Sequence, residues 1–357
     1  MENAKFVFQM KKSQLKNIFR VLFIAASIGS LYFVPWVLVK AWIMPLPDTV
    51  QEQVDAIIDY DIDGVVVYVD QAGKAPQFYA AGYKDRANKI PADPHALFKI
   101  ASINKLYVAV AITKLVHQNK LALDQNLAHY FPELADRIEY ADQITVRNMV
   151  MHRSGIPNFT EYPGFWENPQ DKNTDVLEYA LDLPANFAPD TDYEYSNTNY
   201  LLLTRLIEKA VGYSHHQFIR EQILQPLGLK NTFFSLSEID LDRLMSGYYV
   251  GVEEDIKTND YGSMIATPQD VGIFLRALND GTLFTPAEQE TYSQIYEYEH
   301  GGLIPGYQSL AEYHEDIDTV VIQVMNTTDF EGYNWNLSQI FINRIVKIVR
   351  NSTKEAG

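Results

Sequence analysis

The sequence of 357 residues contains no cysteine. This absence excludes disulfide bonds, thiolate metal sites, a cysteine nucleophile and lipid modification of an N-terminal cysteine. Basic residues are also scarce, because 29 lysines and arginines face 46 aspartates and glutamates, which gives a net charge of −17. A charge of this sign repels the phosphates of nucleic acids. We therefore expect no nucleic-acid partner.

Several catalytic motifs are also missing from the sequence. There is no Gly-x-Ser-x-Gly elbow, no His-Glu-x-x-His pair, no glycine-rich phosphate loop and no dinucleotide fingerprint. These absences disfavour an α/β-hydrolase, a zinc protease and a nucleotide-binding enzyme. His117, His215 and His216 stand apart from other ligand residues, and we interpret them as surface or core histidines. We predict no metal site and no cofactor.

The N-terminal region has the opposite charge to the rest of the chain and is followed by an uncharged run. Residues 1–40 carry six basic side chains and one acidic one, and residues 21–39 have no charge. Nineteen helical residues are long enough to cross a hydrocarbon core of about 30 Å. Basic flanks stay on the cytoplasmic side. The pattern predicts a basic cytoplasmic segment at 1–20 and a single-pass transmembrane signal anchor at 21–43.

This anchor would place the rest of the chain on the periplasmic or extracellular side of a bacterial cell membrane. A cleaved signal peptide, giving a secreted protein, is one alternative, although no small-x-small cleavage site follows the run. A buried helix of a soluble protein is the other alternative, but it would not need basic residues immediately ahead of it.

Beyond the anchor we predict one domain at 44–350 and a short tail at 351–357. Apolar periodicity and runs of β-branched residues predict strands near both ends of this domain and a mainly helical middle region. The predicted helices cover 50–60, 102–118, 199–211 and 336–349, and the predicted strands cover 64–69, 77–83, 307–313 and 319–325. The fold class is therefore α/β (α+β), with one sheet assembled from both chain ends.

The clearest catalytic signal is the segment Ser102-Ile103-Asn104-Lys105. Residues three apart share one face of a helix, so the hydroxyl and the amine can meet. A lysine that loses its solvation there becomes able to accept the serine proton. The spacing is weak by itself, because Ser13 and Lys16 repeat it in the basic N-terminal segment.

The context of Ser102 resembles a known family. Five segments, in family order, are similar to the serine β-lactamase and penicillin-binding protein superfamily, most closely to its branch of class C β-lactamases, D-Ala-D-Ala carboxypeptidases and esterases. They are the Ser-x-x-Lys segment 98–105, the segments 151–157 and 262–270, the Tyr-x-Asn segment 193–202 and the His-Gly-Gly segment 300–306. The resemblance implies a β-lactamase/transpeptidase-like fold with an antiparallel sheet and flanking helices.

The resemblance also implies a role for each matching residue. Ser102 matches the nucleophile that forms an acyl-enzyme, Lys105 the base that deprotonates it, and Tyr195 a second base that protonates the leaving group. The substrate-binding positions match Asn197, His300, Gly301 and Gly302, and the oxyanion hole matches the backbone N–H groups of Ser102 and Leu303. Taken singly, Tyr195 could be a packing residue, Asn197 a helix N-cap and 300–302 a turn. Their joint occurrence favours a catalytic site.

Gly301 is a departure from the family pattern. Many members that act on β-lactams have a threonine or serine there, whose hydroxyl helps to grip the substrate carboxylate, and they have a lysine at the position of His300. The predicted function is a membrane-anchored serine hydrolase that cleaves a small or peptide-like ester or amide, which can derive from the cell wall. An esterase or amidase comes first, and a D-Ala-D-Ala carboxypeptidase or D-amino-acid peptidase second. The alternatives are a true β-lactamase and a catalytically silent binding protein.

Overall fold

The computed structural model describes residues 12–166 and 175–356. The chain divides into two compact units, Met1–Pro45 and Leu46–Gly357. Most of the basic segment predicted at 1–20 lies outside the described residues, because the description begins at Lys12.

The N-terminal unit contains two helices instead of one continuous span. Helix α1 covers Lys12–Ser30 and is followed by a 3₁₀ turn at Leu31–Phe33, and helix α2 covers Trp36–Ile43. Pro35 separates them, since a proline has no N–H to continue the helical hydrogen bonds. Among the described residues no single helix meets the length and hydropathy needed for a membrane span. The segments Phe19–Phe33 and Trp36–Ile43 meet them jointly, with a bend of 79°.

The second unit alternates short strands with helices of varied length. Its helices are α3 (Val50–Ile57), α4 (Asn104–His117), α5 (Leu127–Tyr130), α6 (Val146–Val150), α7 (Asn197–Val211), α8 (His215–Ile219), α9 (Gln225–Leu227), α10 (Pro268–Asn279), α11 (Pro286–Ser293) and α12 (Asn334–Ala356). Its strands are β1 (Gly64–Gln71), β2 (Gln77–Asp85), β3 (Ile90–Pro91), β4 (Phe98–Lys99), β5 (Thr232–Phe233), β6 (Tyr248–Tyr249), β7 (Ile265–Ala266), β8 (His300–Ile304), β9 (Tyr307–His314), β10 (Thr319–Met325) and β11 (Thr327–Thr328).

The main sheet has six strands in the order β3-β2-β1-β10-β9-β8. Every neighbouring pair is antiparallel, and β1 pairs with β10 across more than 240 residues of sequence, with Val65 opposite Met325. The prediction of one antiparallel sheet built from both ends of the chain is therefore confirmed.

Helices cover both faces of this sheet. The central strand β10 is buried along its whole length, as expected for a strand covered on both sides. On one face α10 packs closely on β1, because a Cβ at Gly272 would lie 2.2 Å from the ring of Tyr68. On the other face the Gln323 side chain donates a hydrogen bond to the backbone of Ser338 in α12. The sheet that ends in the edge strand β8 is thus covered on both faces.

Two small sheets support the middle of the domain. Strands β4, β7 and β5 form a three-stranded antiparallel sheet, and β11 pairs with β6 in parallel. Strand β4 leads directly into a 3₁₀ turn at Ala101–Ile103 and then into α4, which is buried continuously from Lys105 to Thr113. The predicted helix over 102–118 therefore forms, with its first residues in the 3₁₀ turn.

The remaining element boundaries differ modestly from prediction. Helix α7 begins at Asn197, two residues earlier than expected, with Ser196 at its N-cap. The terminal helix α12 runs from Asn334 to Ala356, so residues 351–356 continue it instead of forming a separate tail. Trp335, in the first turn of α12, lines the open cleft described below.

Candidate active site

Ser102 lies in the 3₁₀ turn between β4 and α4, where the backbone is held in a rare conformation. Ala101 has a φ of +49°, which an L-residue adopts only when its surroundings hold it there. Its N–H donates a hydrogen bond of 2.8 Å to Oγ of Ser263, a residue of the predicted segment 262–270. The turn leaves the Ser102 side chain partly exposed at an open cleft.

Lys105 lies one helical turn after Ser102 and is 4% exposed. Its Nζ is 3.1 Å from Oγ of Ser102 and donates a hydrogen bond of 2.8 Å to Oδ1 of Asn197. Burial removes the water that stabilises the ammonium form and lowers the pKa of Lys105 to about 7. A large fraction of this amine is therefore neutral near pH 7 and able to accept the Ser102 proton.

Tyr195 contacts the same hydroxyl from another direction. Its phenol donates a hydrogen bond of 2.7 Å to Oγ of Ser102. Burial raises the pKa of the Tyr195 phenol well above its usual value, although the hydrogen bond to Ser102 acts in the opposite sense. The phenol is thus protonated at neutral pH, and the geometry suits a proton donor. Of the two groups, Lys105 is the better first base, because its pKa of about 7 leaves part of the amine neutral at neutral pH.

Asn197 serves the site through its side chain and does not cap α7. Its Oδ1 accepts from Lys105, and its Nδ2 donates to Oδ1 of Asn158 at 3.3 Å and to Oγ1 of Thr160 at 3.2 Å. The N-cap position belongs to Ser196. Asn158 and Thr160 follow the predicted segment 151–157, and the sequence offered no independent signal for either of them.

The edge strand β8 forms the opposite wall and passes very close to the Ser102 turn. A Cβ at Gly302 would lie 2.3 Å from the carbonyl oxygen of Ile100 and 2.5 Å from Oγ of Ser309. Only glycine permits this approach without movement of the backbone. Ser309 also donates a hydrogen bond of 3.1 Å to the same carbonyl of Ile100. Leu303, whose N–H is an expected oxyanion donor, lines the cleft together with Ser102.

His300 lies beside Tyr195 but does not carry a fixed positive charge. The centroids of the two rings are 6.4 Å apart, and the His300 ring stacks on Tyr296 with 6.0 Å between centroids. Its Nδ1 is 2.5 Å from the carbonyl oxygen of Gly301. Burial and the nearby Lys105 lower the pKa of His300 to about 4, so the imidazole is neutral at pH 7.

The space beside Gly301 is occupied by an indole. A Cβ at Gly301 would lie 2.4 Å from Cη2 of Trp335 and 3.2 Å from Cδ2 of Leu310. The sequence suggested only that a hydroxyl was missing at Gly301. The structure adds that a side chain at this position collides with Trp335, which no sequence signal placed in the site.

His152 is a second residue that sequence reasoning did not place in the site. Its ring stacks on Tyr195 with 4.5 Å between centroids, and its Nδ1 accepts a hydrogen bond of 3.1 Å from the N–H of Ser196. Burial lowers the pKa of His152 to about 3, which keeps it neutral. Its buried Nε2 has no hydrogen-bond partner in the described part of the chain. His152 and Tyr195 both line a small cavity of about 240 Å³. The stacked His152 ring therefore supports the Tyr195 ring.

The open cleft at Ser102 has a volume of about 1300 Å³. Aromatic side chains form much of its wall, including Phe159, Tyr162, Phe165, Trp166, Tyr179, Tyr200, Phe234, Tyr261 and Trp335. Within 12–166 and 175–356 no group of three or more histidine, aspartate or glutamate side chains is arranged to hold a metal ion. The arrangement can carry out nucleophilic acyl transfer with its own side chains, because it supplies a nucleophile, a base and an acid.

Comparison with known proteins identifies relatives of the second unit. The family model described as Beta-lactamase matches residues 46–296. Protein flp of Staphylococcus aureus strain MW2 is 30% identical over 192 residues, which are 52% of this chain and 38% of the relative. Penicillin-binding protein 4* of Bacillus subtilis strain 168 is 27% identical over 202 residues, 55% of this chain and 43% of the relative. The match spans less than half the length of these curated relatives.

Solved structures share the fold at lower identity. The D-amino acid amidase of Ochrobactrum anthropi SV3, in complex with L-phenylalanine, superposes with a TM-score of 0.74 at 24% identity, covering 85% of this chain and 98% of that one. A D-stereospecific amidohydrolase from Streptomyces gives a TM-score of 0.68 at 23% identity, covering 78% and 93%.

Proposed function

The chain belongs to the Beta-lactamase family, and from that membership we propose that it is a serine hydrolase which cleaves an ester or an amide through an acyl-enzyme on Ser102. One observation carries the proposal. The Ser102 hydroxyl is contacted at the same time by the Nζ of a buried Lys105 and by the phenol of Tyr195. A nucleophile needs such neighbours, whereas a packing serine does not.

The chemistry follows from the protonation states of these groups. Neutral Lys105 takes the proton of Ser102 as Oγ attacks the substrate carbonyl. The backbone N–H groups of Ser102 and Leu303 are the proposed donors to the oxyanion, a type of interaction worth about 3 kcal/mol per donor in other acyl-transfer enzymes. Tyr195 donates a proton to the leaving alcohol or amine and regains one from Lys105. Water then attacks the acyl-enzyme by the same route in reverse and releases the acid.

An esterase or amidase is the activity we favour. The two structural relatives named above are an amidase and an amidohydrolase specific for D-configured substrates, which supports a small amide or peptide-like substrate. The D-Ala-D-Ala carboxypeptidase or D-amino-acid peptidase of the class C-like branch comes second. A true β-lactamase would also need fast deacylation. A catalytically silent binding protein would have no need of a desolvated Lys105 bonded to Asn197.

The experiment combines two covalent probes with a substrate panel. The full chain and Ser102→Ala are treated with a fluorescent fluorophosphonate and with a fluorescent penicillin, and are assayed with short acyl esters, D- and L-phenylalanine amide, nitrocefin and a D-Ala-D-Ala peptide. We expect fluorophosphonate labelling that depends on Ser102, together with ester or amide turnover. Absence of both labels and of all turnover in folded protein would favour the silent alternative.

We also propose that the N-terminal unit anchors the protein, with residues 44–350 outside the cytoplasmic membrane. Basic residues up to Arg20 precede the uncharged stretch 21–39, and the bent helix pair meets the length and hydropathy of a span. Fractionation and protease access on intact cells or spheroplasts test this. Recovery of a soluble chain that begins well after Ala41 would show that the segment is a cleaved signal.

A further inference from the structure

In the described part of the chain, the wall of the cleft beside Tyr195 carries no lysine, arginine or hydroxyl side chain. His300, Gly301 and Trp335 form this wall together with Leu303. Because Tyr195 meets the leaving group in the proposed mechanism, and its ring lies 6.4 Å from that of His300, this wall borders the leaving group. Its composition therefore bears on which leaving groups the site accepts.

We infer that the site selects substrates whose leaving group carries no carboxylate, and that the Trp335 indole over Gly301 is a specificity-determining residue. The inference rests on the proposed function and deepens it, because it names the class of ester or amide that is cleaved. The favoured substrates are simple esters and primary or otherwise uncharged amides.

The charges along the cleft support this selection. Among its described lining residues Lys105 is the only lysine or arginine, and its Nζ is already engaged by Ser102 and Asn197. Among the described lining residues the only carboxylate is that of Asp260, which is exposed. An anionic leaving group would therefore meet no unengaged lysine or arginine among the described lining residues, and it would approach an acidic protein of net charge −17.

The neutral state of His300 means that none of the four wall residues carries a positive charge at pH 7. Its Nδ1 is directed to the backbone carbonyl of Gly301, and its ring is enclosed between Tyr195 and Tyr296. Burial and Lys105 both disfavour the imidazolium form. A carboxylate bound against this wall would lose its water without gaining a charged partner.

Trp335 makes the restriction steric as well as electrostatic. Any side chain at Gly301 needs the volume that Cη2 of Trp335 fills, at 2.4 Å from the position of a Cβ. A side chain that supplies a hydroxyl donor at this point of β8 therefore requires the indole to move. An uncharged methyl ester, by contrast, can pack against the indole with a much smaller loss of hydration than a carboxylate.

A matched pair of thioesters tests the inference on the unmodified protein. Phenylacetyl thioglycolate and its methyl ester differ only in the carboxylate of the leaving group. The absence of cysteine from the chain lets a thiol reagent follow the released thiol without background from the protein. We expect kcat/KM for the methyl ester to exceed that for the free acid by about tenfold or more, the equivalent of one lost hydrogen bond to a charged group. Equal or reversed rates would overturn the inference.

Variants locate the selectivity. Trp335→Ala, with the milder Trp335→Phe as a second variant, should raise the relative rate of the free acid several-fold, and Trp335→Ala combined with Gly301→Ser should raise it further. Trp166→Ala is the matched control, since Trp166 lines the same cleft but packs against Tyr261 and Phe330. It should change both substrates alike. An unchanged ratio in folded Trp335 variants would remove Trp335 from the assignment.

The experiments distinguish a failure of the serine hydrolase proposal from a failure of the inference about the leaving group. If neither thioester is turned over and fluorophosphonate does not label Ser102, the serine hydrolase assignment fails and the selectivity inference fails with it. If both thioesters are hydrolysed through Ser102 with equal efficiency, the hydrolase assignment stands and only the inference about the leaving group is wrong.

Discussion

Ser13 and Lys16 stand three residues apart in α1, as Ser102 and Lys105 do at the entrance to α4. The first pair is exposed. In the second pair the lysine is buried, bonds to Asn197 and lies 3.1 Å from the serine oxygen. The same two residue types at the same spacing thus lie in two different environments.

The difference shows what makes a Ser-x-x-Lys pair able to act as a nucleophile and its base. A buried lysine loses the water that keeps it protonated, and only then can it act as a base near neutral pH. The surroundings of α4 provide that burial, together with a strained turn that presents Ser102, a second group on its hydroxyl and a glycine strand opposite. Each of these features can be removed by a single substitution. For each substitution the chain offers a matched control residue outside the site.

The largest expected effect comes from the serine itself. Ser102→Ala should lower kcat/KM for an ester at least about 1000-fold, because loss of a nucleophile typically costs several orders of magnitude. The substitution removes one hydroxyl and little volume, so the thermal unfolding midpoint should stay close to that of the wild type. Ser13→Ala is the matched control and should leave activity unchanged. More than about 1% residual activity in purified Ser102→Ala would contradict the nucleophile assignment.

The next effect concerns the lysine and its pKa. With a pKa lowered to about 7, Lys105 is protonated below that pH and neutral above it. The kcat/KM of the wild type should therefore rise with pH through about 7 and level off above it. Lys105→Met should cost about 100- to 10,000-fold, and Lys16→Met should keep both the rate and the pH profile. A flat wild-type profile between pH 5 and 9 would argue against Lys105 as the base.

Much of the fold could be predicted because its signals are local. The β-branched run that becomes β1 and the run 319–325 that becomes β10 are recognisable without knowing their partners, and apolar composition revealed α4. The two-residue strands β4, β5 and β7 were not predicted, because so short a strand forms only where distant segments meet. The break at Pro35 was also underestimated, since a proline is tolerated in membrane helices.

The residues of the candidate site also fall into those that the sequence predicted and those that it did not. Ser102, Lys105, Tyr195 and Asn197 were named from their motifs, and the structure brings all four together. Trp335 was missed because no motif marks it, and its contact with Gly301 depends on where α12 begins relative to β8. Asn158, Thr160 and His152 were missed for a similar reason, because each acts on a neighbour about 40 residues away in sequence.

A moderate effect should come from the close approach of β8. In Gly302→Ala the added Cβ would meet the backbone oxygen of Ile100 at 2.3 Å, so strand or turn must move. We expect a loss of about 1 to 3 kcal/mol in the free energy of unfolding, the usual cost of overpacking, and a clear fall in kcat. Gly29→Ala in α1 is the control, since a Cβ there meets nothing within 4 Å. Chemical denaturation and ester kinetics on both variants decide whether the approach matters.

The smallest expected effect isolates the strained turn that the Ser13 copy lacks. Ser263→Ala removes the oxygen that accepts the N–H of Ala101, the residue with φ +49° immediately before the nucleophile. A buried N–H left without a partner costs about 1 to 3 kcal/mol. If part of that cost is relieved by rotation of the turn, Ser102 shifts relative to Lys105, and kcat should fall about tenfold with KM little changed. Ser352→Ala, which removes an exposed serine bonded only within α12, should alter neither constant. A stability loss in Ser263→Ala without any change in kcat would mean that the turn is held for folding alone, and that the Ser102–Lys105 geometry is fixed by the burial of α4.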